Sequence, residues 1–175
     1  MVSAVATYFI HPQFFTPQSL AVFLQRFEGL IWFAFLTVSI LRGFTLLPST
    51  PLVIAGTLLF PSQPYLVLAV SIVGILLSSS MIYWFSDLLG FSEFFEHRKP
   101  EMIHKLKVKL EHPFGFAFVA LWAFFPLVPT DLVCYVAGVT RMNFGKFIFS
   151  IGSGETILCL IYIFGGAAMI RGWFG

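Results

Sequence analysis

The sequence predicts an all-α polytopic membrane protein, an inverted-topology repeat in which a re-entrant helical hairpin is followed by a transmembrane helix. Three observations predict it: a composition suited to lipid, two PxxP breaks at Pro48–Pro51 and Pro126–Pro129, and an uneven placement of Lys and Arg. The chain has 175 residues, 58% of them hydrophobic and 10% charged, with a mean hydropathy of +0.92. A soluble domain is about a quarter charged, so this chain could not cover a globule in water. Its 23 phenylalanines suit packing against acyl chains and other helices. The net charge is only +2 and no basic stripe is present, which argues against a nucleic-acid partner. Cys134 and Cys159 both fall in apolar stretches and read as buried thiols that pack as small hydrophobes.

The elements follow in order within one membrane domain, residues 1–175. Residues 1–18 read as an interfacial lead-in, because Met1 to Ile10 holds no Lys or Arg and so lacks the charged start of a signal peptide. The first repeat, 19–86, opens with an apolar segment from Ser19 to Leu41 whose Arg26–Glu28 end sits at the interface. Pro48 and Pro51 then interrupt Gly43 to Phe60, and Pro64 to Ser86 supplies an uncharged span. A helical span needs about 20 apolar residues. Residues 87–112 form the markedly polar connector, read as two interfacial amphipathic helices separated at Pro100. The second repeat, 113–175, has Pro126 and Pro129 inside Pro113 to Thr140, then a span from Phe147 to Ile170 that contains Glu155.

Each half therefore reads as an apolar stretch, PxxP, a short apolar stretch ending in Ala-Gly (Gly56, Gly138), then one full span. Proline removes a backbone donor and clashes with the preceding turn, so each pair breaks a helix. Broken backbone survives at membrane depth only inside protein or beside a watery cavity. Matching interrupted segments in two halves point to a transporter-type site. With both segments re-entrant, Arg26, Arg98, Lys99, Lys105, Lys107, Lys109, Arg141 and Lys146 share one side, leaving Arg42 and Arg171 on the other, an 8:2 split. With both fully crossing, the better split is 7:3. The positive-inside rule thus favours re-entrance, a cytoplasmic connector and hairpins inserted from opposite sides.

Ionisable groups inside a membrane are costly and are functional candidates for that reason. Asp131 directly follows the second PxxP, where it either caps the helix 132–140 or lines a cavity; the roles are compatible. Glu155 lies about a third of the way along its span, between Gly152 and Gly154, which admit a close neighbour. It is read either as a proton-exchanging carboxyl or as a buried hydrogen-bonding tie between helices. Arg42 and Arg141 stand at hairpin ends, where they attract lipid phosphate or anchor the interface. Ser49, Thr50 and Thr130 satisfy freed backbone groups or line the cavity. Glu101 and His104, with His97 before them, have a spacing that a solvated surface explains without a metal. No cofactor or metal is expected. The sequence holds no HExxH, P-loop or G-x-S-x-G motif, so no enzyme is expected.

Leu41-Arg42-Gly43-Phe44-Thr45-Leu46-Leu47-Pro48-Ser49-Thr50-Pro51, running on to Ala55-Gly56, resembles the first signature of the VTT-domain family, also called SNARE-associated or DedA-like. Phe125-Pro126-Leu127-Val128-Pro129-Thr130-Asp131, running on to Ala137-Gly138-Val139, resembles the second. The resemblance covers roughly residues 20–170 and carries over Pro48, Pro51, Gly56, Pro126, Pro129, Asp131 and Gly138. It implies two oppositely inserted re-entrant hairpins and movement of a lipid, a polyprenyl phosphate or a phospholipid, between leaflets. The chain departs from the family at Ala123, where an Arg is common, and at Ser49 and Thr50, near which the DedA branch often has an acid. Glu155 is the candidate replacement for that acid. The expected partners are membrane lipids, with homo-oligomers compatible, and the expected location is a bacterial plasma (inner) membrane. The competing readings are a proton- or ion-coupled transporter of a small solute and a non-transporting scaffold that presents the connector.

Overall fold

The structure, a computed structural model, describes residues 16–45, 49–88, 100–112, 114–125 and 130–165. Pro48, Pro126 and Pro129, most of the lead-in and the first half of the connector lie outside these. Helix α1 (Pro17–Gln25) begins where the Thr16 side chain accepts from the Ser19 amide at 3.2 Å, with Pro17 inside the first turn. Here the structure departs from the single segment expected over 19–41. Gly29 adopts a positive φ of 78°, which turns the chain sharply after Arg26–Glu28 and starts a separate helix α2 (Ile31–Leu41). At 11 residues, α2 is about 16 Å long, half the hydrocarbon thickness. It tightens into a 3₁₀ turn, Arg42–Thr45.

Helix α3 (Thr50–Leu59) places Pro51 in its first turn, where the missing N–H is not needed. Helix α4 (Pro64–Leu88) is the first long element. Helix α5 (Pro100–Glu111) begins at the proline expected to divide the connector, and α6 (Gly115–Phe124) and α7 (Thr130–Val139) flank the second break. Helix α8 (Phe144–Leu160) starts three residues earlier than its apolar run suggests, because the Asn143 side chain caps it by accepting from the Lys146 amide at 3.0 Å. It continues as a π-helical turn, Ile161–Gly165. Among the described residues, two stretches are long and apolar enough to cross a membrane, Pro64–Ser86 and Phe144–Gly165.

The contacts fix relative directions. Tyr65 meets Phe164 at 5.4 Å between ring centroids, Gly152 faces Leu76, and Tyr83 stacks on Phe147 at 5.0 Å, so α4 and α8 are antiparallel. The Tyr83 hydroxyl also donates to the Met142 carbonyl at 2.5 Å. Helix α2 runs alongside α4 in the same direction, with Ser39 against Gly74 and Ser78 against Gly43. Helix α3 then comes back: Phe35 packs on Gly56, and Trp32 stacks on Phe60 at 3.8 Å. In the second half α6 runs along α8 with Gly154 against Ala120 and Ala123, and α7 packs on α4 with Gly138 against Ser86 and the Tyr83 carbonyl. Lys146 fastens the connector by donating to the carbonyls of Leu110 at 3.2 Å and His112 at 2.7 Å.

Candidate functional site

Both breaks are followed by a helix that starts with hydroxyl residues. Such residues favour helix starts because their oxygens compete for backbone partners. Ser49 precedes α3 and Thr130 opens α7, and both are buried. Antiparallel packing of α4 on α8 brings the two starts to the same level. Between them stands Glu155, 0% exposed, which accepts from Thr130 Oγ1 at 2.5 Å and from Ser49 Oγ at 3.3 Å. One carboxyl thus ties together two segments 81 positions apart (130 − 49). The early start of α8 also shifts Glu155 from a third of the way along to the middle of the stretch Phe144–Gly165.

The second contact across the halves is between charges. Arg42 Nη1 lies 3.7 Å from Asp131 Oδ2, with the side chains 6% and 1% exposed. The separation exceeds hydrogen-bond range, and Oδ2 has no hydrogen-bond partner among the described residues. Arg42 was expected at a hairpin end, attracting lipid phosphate or anchoring the interface. It is instead buried, in the 3₁₀ turn that packs on α4, with its guanidinium facing Asp131. Asp131 does not cap its helix, since α7 begins at Thr130 and Asp131 falls within the first turn. There it still meets the positive end of the helix dipole.

A narrow crevice lies beside this cluster, lined by Phe35, Ser39, Arg42, Ser49, Ser71 and Ile75, and it is too tight to hold a water molecule. Two of these residues, Ser39 and Ser71, were not singled out from the sequence. Ser71 is one of five serines in Pro64–Ser86, with Ser78, Ser79, Ser80 and Ser86, and nothing in the sequence sets it apart. Thr50 presents a buried hydroxyl with no partner among the described residues. Pro51 and Gly56 shape α3, and a Cβ on Gly56 would come within 2.8 Å of the Phe35 ring. Gly138 admits α4 in the same way.

Arg141 lies apart from the cluster. It is exposed and takes φ 53° in the turn between α7 and α8, where its amide and that of Met142 bond back to Gly138 and Ala137. This is the usual helix stop with a left-handed residue. Ala123 is fully buried against Gly154, so the position has no room for an arginine. The positive charge near Asp131 comes from Arg42 in the other half. Cys134 and Cys159 are free and buried, and Glu101 and His104 are exposed on α5.

A family model, that of the VTT domain, matches residues 47–168. No curated protein and no solved structure matches the chain.

Proposed function

The chain belongs to the VTT-domain family, and on that premise we propose that it moves a phosphate-bearing lipid, a phospholipid or a polyprenyl phosphate, between membrane leaflets. The observation that carries the reading is the convergence of both chain breaks on Glu155, with Arg42 and Asp131 beside it. A buried cluster of opposite charges at the middle of a span is costly in lipid and is kept where it serves a pathway.

The architecture that serves this function is two re-entrant hairpins entering from opposite faces. Three observations support it. The start of α2 and the end of α3 lie side by side at Trp32 and Phe60. The four short apolar helices, α2, α3, α6 and α7, are each about half the hydrocarbon thickness in length. The long helices α4 and α8 are antiparallel, which sends the two hairpins in from opposite sides. The connector 87–112 then faces the cytoplasm of a bacterial inner membrane, by the Lys and Arg distribution. In this arrangement the narrow cleft corresponds to a closed state, and lipid passage requires Ser49 and Thr130 to part from Glu155. No part of the scheme calls for a bond-making step, so the protein acts as a transporter and not as an enzyme.

Reconstitution into liposomes with leaflet-specific probes tests the reading. The protein should move phospholipid or polyprenyl phosphate at least tenfold faster than protein-free vesicles. Uptake of a soluble solute with no lipid movement would shift the assignment to a solute transporter. In the same assay Glu155→Gln keeps the shape of the side chain but cannot exchange a proton. It should abolish either transport or its pH dependence, and unchanged behaviour would remove Glu155 from the mechanism.

A further inference from the structure

We propose that Ser71 and Ser78 of α4 are the hydroxyl donors that hand a lipid phosphate past the Arg42–Asp131 pair, so that their shared face of α4 walls the crossing path. This rests on the lipid-transport reading above and names the residues that would serve it.

The observation is a contrast among hydroxyls in helices. A helical Ser or Thr is normally satisfied by the carbonyl four residues back. Ser39 does this at 2.7 Å, Thr57 at 3.0 Å, Ser80 at 2.7 Å and Ser150 at 2.7 Å. Ser71 and Ser78 are 2% and 0% exposed, sit inside the same kind of helix, and make no such bond. They have no other partner among the described residues. A buried donor left unsatisfied is unfavourable and marks a group held ready for something absent from the closed state.

Their placement says what that is. Seven residues apart, they lie on one face of α4, about 10 Å from each other along the axis. Ser71 opens onto the cleft that Arg42 and Ser49 line. Ser78 lies where a side chain on Gly43, next to Arg42, would otherwise stand. The Thr50 hydroxyl, also without a partner among the described residues, begins the helix on the far side of the same break. Ser71 and Ser78 therefore offer two unsatisfied hydroxyls beside the Arg42 turn, and Thr50 a third next in the chain to Ser49, against one carboxylate oxygen without a hydrogen bond. A phosphate brings several acceptor oxygens and a negative charge, which is the complement of that set. A metal cation would meet the Arg42 charge and leave the hydroxyl protons unsatisfied.

The test compares wild-type protein, the double variant S71A/S78A, and S80A as a control whose hydroxyl already has its partner. Each is reconstituted with three probes: a fluorescent phospholipid, a polyprenyl phosphate and a phosphate-free glycosphingolipid. The double variant should keep or raise the melting temperature in detergent, because it removes unsatisfied groups. It should move at least tenfold less of whichever phosphate lipid the wild type carries, and that lipid identifies the source of the phosphate. S80A should match wild type. Equal rates for wild type and S71A/S78A would overturn the proposal while leaving lipid transport intact. So would an equal loss with the phosphate-free probe, or a lowered melting temperature sufficient to account for the loss. A wild type that moves none of the three probes would overturn the transport reading and this proposal with it.

Discussion

Removing the guanidinium of Arg42 would leave Asp131 buried at 1% exposure without the charge that faces it at 3.7 Å. Breaking one side of a buried pair costs about 3–5 kcal/mol. Arg42→Met should therefore destabilise the protein by that order in thermal unfolding in detergent. The double variant R42M/D131N should recover most of the loss, because no lone charge remains. Glu155→Ala acts differently, leaving the Ser49 and Thr130 hydroxyls without their acceptor at about 1–3 kcal/mol each. At this scale the sequence was informative about single residues and silent about pairs. Asp131 and Glu155 stood out as ionisable groups in apolar runs. That Arg42 faces Asp131 was not legible, since the partners are 89 positions apart (131 − 42) and meet only through the packing of α2 and α7 on α4. Ser71 and Ser78 passed as small residues of a span, because their lack of partners is a property of geometry alone.

Among the elements, the close approaches at Gly138 and Gly154 decide how the short helices seat on the long ones. A Cβ at Gly138 would stand 2.5 Å from the Tyr83 carbonyl, which is backbone and cannot step aside. Gly138→Val should thus unseat α7 from α4, with a stability loss of about 1–3 kcal/mol as for other overpacked sites. Ala123→Arg should be worse, since it drives a cation into the α6–α8 contact at Gly154, and a failure to accumulate folded protein in membranes would show it. The breaks at PxxP, the helix start at Pro100 within the connector and the two long helices could be read from proline placement and apolar length. The charged end at Arg26–Glu28 marked where the strongly apolar part, Gly29 to Leu41, begins, but the chain turn there depends on Gly29 at φ 78°, which composition does not announce. The early start of α8 was likewise set by a cap at Asn143 and not by hydropathy.

For the whole molecule, the decisive prediction concerns Trp32 and Phe60, whose rings stack at 3.8 Å. In a chain with Cys134 and Cys159 replaced, W32C/F60C should cross-link readily. A segment that crossed the bilayer fully would hold the two positions about 30 Å apart, and no short cross-linker would join them. The Lys and Arg count favoured hairpins by a narrow margin, whereas the ring contact bears on the question directly. The same packing has a consequence for biosynthesis. Helix α3 rests on the Ile161–Gly165 turn, and the acceptor for Ser49 is Glu155. A membrane chain is made from its N-terminus onward, so the first half enters the bilayer before its supports have been translated. Until α7 and α8 arrive, Arg42 has no Asp131 to face and Ser49 has no carboxylate to donate to. The first half thus reaches its final packing only after α8 has been synthesised.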